Sequence, residues 1–309
     1  VDLRNIAIAW AEAQAADSCL MKAVAQRAVE VIDTLDPFTV AQLTWAFSEL
    51  RVSNLELFVA LGARCNQVVH AFQDIQLAQI AFAFVQANVH DNVLLDSIAK
   101  QALTRLWRLS ACSTSLLVRA FTQANLESAA VTALLENLAT RARRQGWTEL
   151  YNSTSTLVEL SDLQKQYVET VQEVLPFALV NQRHQMGLIL TMAVIQDNGT
   201  IVNLEVDPEE VVLSNLELTF RSRRDEFLES IGVEVLRLKV KSLDDLKYHL
   251  QEIFGNTSPA VEQPTAFEAE VVPEKPGSSE DLKLQDLEIP CQHLWKELEP
   301  STLHSQSSS

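Results

Sequence analysis

Residues 41–50 read AQLTWAFSEL, and residues 78–87 read AQIAFAFVQA. The same 37-residue step in either direction reaches RNIAIAWAEA at 4–13 and SLLVRAFTQA at 115–124. Four apolar columns run through these lines: Ile6, Leu43, Ile80 and Leu117; Ala9, Ala46, Ala83 and Ala120; Trp10, Phe47, Phe84 and Phe121; Ala13, Leu50, Ala87 and Ala124. Within each line they fall at offsets 0, 3, 4 and 7, one face of an α-helix. A second set follows at offsets 0, 4 and 8: Leu20, Leu57, Leu94 and Val131; Val24, Leu61, Ile98 and Leu135; Ala28, Cys65, Ala102 and Ala139. Each unit is therefore a helical hairpin. A lone hairpin cannot bury its apolar face, so four units are expected to stack into an α-solenoid over residues 1–152. The alanine column permits close helix approach, the aromatic column fills the space beside it, and Cys65 reads as a small core residue. Near Ser153, where Leu157 and Leu160 keep some of the spacing, residues 153–185 read as a degenerate repeat or cap.

Composition supports a mainly α chain. Of 309 residues, 47% are hydrophobic and only 7 are glycine, which disfavours barrels and Gly-rich phosphate loops. No apolar run is long enough to span a membrane. The cysteines Cys19, Cys65, Cys112 and Cys291 form no CxxC or Cys/His cluster, so neither a zinc site nor a disulfide framework is expected. The formal charge of −17 is uneven: residues 1–150 carry 12 basic and 14 acidic side chains, whereas 151–255 carry 9 and 17. Such a balance argues against strong nonspecific nucleic-acid binding, which depends on Lys and Arg neutralising phosphates. It leaves room for a local site in the nearly neutral first half.

On the first helix of each unit, Asn5, Gln42 and Gln79 share one polar column; Glu12, Glu49, Gln86 and Gln123 share another, seven residues on. Stacking would align these as two rows. In helical repeats that read single-stranded RNA, each unit contacts about one base through two or three side chains, and amides and carboxylates suit base edges. The same rows are also, and more simply, what the solvated face of an amphipathic helix looks like. Arg119, in the column of Ile8, Trp45 and Phe82, is either a backbone clamp or a surface substitution.

Beyond residue 185 the pattern changes. GLILTMAVI at 187–195, the turn signal Asp197-Asn198-Gly199 and TIVNLEV at 200–206 predict a β-hairpin. SRRDEFLESI at 222–231 predicts a helix stopped at Gly232, VEVLRLK at 233–239 a strand, and Ser242–Phe254 an amphipathic helix with Ser242 as N-cap. Residues 186–255 thus form a small α/β domain. Arg221, Arg223 and Arg224 are its densest basic cluster and could contact phosphate or pair with Asp225, Glu226 and Glu229.

The 37-residue units resemble the heptatricopeptide and octotricopeptide class of organellar helical repeats. The stretch from Phe220 through Arg221, Arg223, Arg224, Leu228, Gly232 and Val233 to Leu238 resembles the core of a RAP domain: a basic helix start, a glycine cap, then an apolar strand. Where such domains often carry Asp-Gly-Pro and His-Phe, this chain has Val206-Asp207-Pro208-Glu209-Glu210. The resemblance implies a restriction-endonuclease-like module behind an RNA-binding array. It implies an organellar, RNA-associated protein, mitochondrial or alternatively plastid, acting in RNA processing or stability or held in a ribonucleoprotein such as a mitochondrial ribosome. Its partners would be organellar RNA, including rRNA, and ribonucleoprotein subunits. In that fold Asp197 and Glu205 would stand where metal-binding carboxylates do, but Asp207 occupies the place of the expected Lys. A carboxylate pair without that Lys lacks the group that orients water, so no catalytic residue, metal or cofactor is expected and the chain reads as no enzyme. A protein–protein scaffold without RNA contact is the alternative, and an RNA endonuclease the weakest reading. The tail, 256–309, is rich in Pro, Ser and Glu and is expected to be largely disordered. Its apolar segment 286–298, around Trp295, is a candidate docking segment for a protein partner.

Overall fold

A computed structural model describes residues 2–255, apart from 14–17, 51–53, 125, 148–149, 153–161, 197 and 210–214. Ser153, Leu157, Leu160, Asp197 and the tail around Trp295 lie outside the described residues.

The repeat folds as its columns predict. Four hairpins follow one another: α1 (Asp2–Glu12) with α2 (Ser18–Glu30), α3 (Pro37–Glu49) with α4 (Leu55–Gln67), α5 (Asp74–Gln86) with α6 (Asn92–Thr104), and α7 (Ala111–Gln123) with α8 (Ala129–Gln145). The first helices stack on one another in sequence order, and the second helices form a parallel layer. Phe47, Phe84 and Phe121 are completely buried, as are Ala46, Ala83 and Ala120. In the first unit the same face is open and Ala9 is exposed, because no described unit packs ahead of it. Phe58 on α4 meets Phe84 on α5 edge-on, with ring centroids 5.3 Å apart, a favoured aromatic geometry. Cys65 is buried, and burial pushes its thiol pKa up.

Helix boundaries repeat with the same period because their caps do. Asp36, Gln73 and Ser110 sit 37 residues apart at the N-caps of α3, α5 and α7; Asn54, Asp91 and Ser128 do so for α4, α6 and α8. The side chains of Asp36, Asn54, Asp91, Ser110 and Ser128 accept from amides that the first turn leaves orphaned, and at the start of α5 the Gln76 side chain accepts from the Gln73 amide. A single 3-10 turn joins one unit to the next, at Ile32–Thr34, Val69–Ala71 and Leu106–Arg108. Arginines from the second helices tie these joints down. Arg64 donates to the Leu35 carbonyl, Arg105 to those of His70 and Phe72, and Arg141 to those of Leu106 and Leu109.

After α8 the chain builds a five-stranded sheet in the order β1 (Leu150–Asn152), β2 (Leu179–His184), β3 (Ile189–Ile195), β4 (Ile201–Pro208), β5 (Val233–Val240). The first four strands run antiparallel. The last pair is parallel, joined by α10 (Asn215–Ser230), and α11 (Leu243–Phe254) follows. The predicted hairpin forms with Ile195 opposite Ile201, and Ser242 caps α11.

Two boundaries differ from expectation. The array ends at Gln145, and β1 already belongs to the sheet, so 1–152 is too long for it. The described part of 153–185 is no repeat. Helix α9 (Asp162–Val174) packs with α11 over one sheet face, where Tyr167, Val171 and Leu175 join Met192, Val194, Val202, Leu204, Leu246 and Leu250 in one core. β2 pairs with β3, whose Met192 faces Val180. An amphipathic helix declares its apolar stripe but not what it will pack on, which is why α9 reads as a repeat helix.

The other sheet face meets α10, and α10 in turn packs on α7 and α8. The described residues all fall in one compact unit, with the fourth hairpin covered by α10 rather than by a fifth hairpin. No described helix is long and apolar enough to cross a membrane.

Candidate nucleic-acid interface

The first polar row is not the solvated strip its sequence suggests. Asn5 is exposed, but Gln42 and Gln79 each retain only 3% of their accessible surface, and the Oε1 atom of each is buried without a hydrogen-bond partner. The physical reason is stacking. Each first helix is flanked by neighbours on both sides, so the open strip is narrower than on a lone amphipathic helix, and the middle column falls inside it. The second row stays near solvent. Glu49 is half-buried, and Gln86 and Gln123 are exposed. Gln86 accepts a hydrogen bond from Ser48 of the preceding unit at 3.1 Å. Arg119 is half-buried with its guanidinium 4.4 Å from the Phe82 ring centroid, a cation–π contact between adjacent units. It also lies against Gly187 in the β2–β3 turn, whose φ of +85° suits glycine.

Arg221, Arg223 and Arg224 are engaged within the protein. Arg221 donates to both carboxylate oxygens of Asp207 at 2.8 Å. Arg224 bridges Glu205, at 2.9 Å, and the Ile189 carbonyl. Arg237 on β5 completes the network with Asp225, at 2.8 Å, and Asp207. The expected partners on the same helix contribute only the longer Arg224–Asp225 approach of 3.7 Å; the main ones stand on β4. Arg223 instead reaches the carbonyls of Phe121 and Ala124 at the end of α7, satisfying groups that a helix C-terminus leaves unpaired. These three side chains fasten α10 to the sheet and to the array.

Glu205 is thereby held by Arg224 and by the side-chain amide of Asn203, which donates to it at 3.0 Å. Among the described residues no group of His, Cys, Asp and Glu is arranged to hold a metal. A further buried polar group lies at the β2–β3 turn. His184 has no exposed surface; its Nδ1 accepts from the Met186 amide at 3.1 Å, and burial lowers its pKa to about 4.

One surface combines arginine with two indoles, one exposed and one half-buried, and it was not apparent from single columns. At the joint between the third and fourth units, Trp107 is 81% exposed, with the Arg108 guanidinium 5.8 Å from its ring centroid. Arg141 clamps the carbonyls on either side of that joint while its guanidinium lies 5.5 Å from the Trp147 ring. Trp147 is folded back by the end of α8. Gly146 adopts a left-handed φ of +64°, and the Trp147 amide donates to the Ala142 carbonyl, a Schellman-type close. Arg143 and Arg144, in the last turn of α8, are exposed. The signals LWR at 106–108 and RARRQGW at 141–147 lie in different units and only the fold joins them.

Residues 13–161 match the family model of RNA-editing substrate-binding complex 6 protein. The matched span runs from the first unit to just beyond β1, a little under half of the chain, so the similarity lies in the helical array and not in the α10–β5 region. No curated protein matches the chain.

Proposed function

We propose that this chain is a non-catalytic scaffold of an organellar ribonucleoprotein, with the helical array as its RNA-associated part. One observation carries the reading: the family match covers the array from α2 to α8, and the matching family is named for a complex that binds RNA-editing substrates. A solenoid of equal steps suits an extended single strand, since each unit offers a similar set of side chains along the chain. Asn5, Glu49, Gln86 and Gln123 are the base-edge candidates that remain near solvent. Gln42 and Gln79 would contribute only where a base inserts deeply enough to reach their unpaired Oε1 atoms.

The sheet domain is read as RAP-like in its order of strand, basic helix, strand and helix from β4 to α11, and as structural in role. Support for a non-catalytic module comes from Glu205 and Asp207, whose charges are neutralised by Arg224, Arg221 and Arg237. A metal there would have to displace those guanidinium groups first. The mitochondrion is the proposed compartment, with a ribosome-associated complex or an RNA-processing assembly as the setting. The charge of −17 favours the alternative of a scaffold that holds proteins only. Ultraviolet crosslinking in the organelle, followed by sequencing of co-purified RNA, tests the choice. Discrete RNA species are expected, and recovery no higher than from an uncrosslinked control would remove the RNA reading.

A further inference from the structure

We infer that the edge formed by Trp107, Arg108, Arg143, Arg144 and Trp147 is a contact site for single-stranded RNA, with Trp107 as a stacking platform for an unpaired base. The inference rests on the RNA-associated reading above and names where on the array the strand is held.

Three observations converge on this edge. The first is exposure. Among the large hydrophobic side chains, Trp107 at 81% is the most exposed of those described; an indole left in water is a prime candidate for covering by a flat ring. The second is the chemistry around it. Arg108 lies over the Trp107 ring and Arg141 over Trp147. This interleaving of guanidinium and indole faces is what non-base-specific single-strand sites use: aromatic rings stack on bases while cations follow the phosphates. The third is charge. Arg105, Arg108 and Arg141 meet at the joint, and Arg143 and Arg144 follow in the last turn of α8; Asp74 is their only acidic partner among the described residues, through pairs of 3.4 Å to Arg105 and Arg108. Arg143 and Arg144 have no acidic partner among the described residues. In a chain of formal charge −17 this is a local inversion of sign, the feature that draws a polyanion to one place.

The joint is also rigid. Arg141 is tied to the Leu106 and Leu109 carbonyls, and Gly146 fixes where Trp147 turns. A strand would therefore meet a preformed surface, with its phosphates at Arg143 and Arg144 and a base on the free face of Trp107. A duplex would find little there, because its bases already stack on one another.

The test is a fluorescence-anisotropy titration of the full chain with a labelled uridine-rich single-stranded RNA, and with the same RNA annealed to its complement, over a series of salt concentrations. Trp107→Ala is expected to weaken single-strand binding roughly five- to hundredfold, the usual range for losing one stacked base, whereas Trp107→Phe keeps most of the affinity. Arg143→Ala combined with Arg144→Ala is expected to reduce the log–log salt slope by about 1.4, the value for two lost contacts on a single strand. These positions are exposed, so thermal melts should match those of the unmodified chain. If the intact chain binds single strands and neither variant alters affinity or slope, the site is wrong while the RNA reading stands. Equal binding of duplex and single strand overturns the stacking role of Trp107. If the intact chain binds neither RNA, both the site and the function proposed above fall.

Discussion

At Ala83 a single methyl group faces neighbouring helices with no exposed surface. Replacing it with Leu forces three more carbons into a close-packed joint, and Ala83→Leu is expected to cost about 1–3 kcal/mol, read as a lowered midpoint in urea unfolding. His184 offers a test of a different kind. Its imidazole has a folded pKa of about 4 against an ordinary 6.5, so it stays neutral in the fold while the unfolded chain takes up a proton first. Its stabilising contribution is present above pH 6.5 and is lost as pH falls toward 4, by up to on the order of 3 kcal/mol. The melting temperature should fall through that window, and His184→Gln should flatten the fall. The alanine column and Cys65 were legible in the sequence, because a small residue recurring on an apolar face marks a place where two helices come close. The burial of Gln42 and Gln79 was not, since a helical period reports the polarity of a face but not how closely the next unit crowds it.

The cap positions decide where each helix begins. Asp91 accepts from the Leu94 amide at 3.0 Å, and its other carboxylate oxygen lies 2.5 Å from where a Cβ on Gly62 would stand. Asp91→Ala removes the cap of α6 and is expected to cost about 1 kcal/mol, measurable as a shifted denaturation midpoint with an unchanged slope. Helices and strands were legible because their apolar spacing is strict, and the hairpin of β3 and β4 because Asn198-Gly199 marks its turn. The 3-10 joints were not. They bury no residue of their own and so leave no apolar stripe, although they too recur every 37 residues. Trp147 lies against Arg141, which clamps the joint that carries Trp107, an association that their positions in the chain do not announce.

For the molecule as a whole, α10 lies between array and sheet, and Arg223 ties it to the end of the array. Arg223→Ala withdraws its hydrogen bonds from the end of α7. Amide exchange is expected to quicken in α7, α8 and α10 while the strands keep their protection, because the sheet has its own core beneath α9 and α11. Uniform protection across these helices would show that apolar contact alone holds the two parts together. The sequence announced two architectures in the right order; the border between them was misplaced because the 37-residue register fades before the sheet's alternation begins, and α9 lies in that gap.

The cover that α10 provides has a consequence in time. A nascent chain completes its fourth hairpin when α8 emerges, yet the helix that shields that hairpin is encoded four strands and a helix later. Until β4 and β5 pair across α10, a contact between distant segments that forms slowly, the last hairpin presents its apolar flank to water. During synthesis that flank is the part of the molecule most in need of a chaperone.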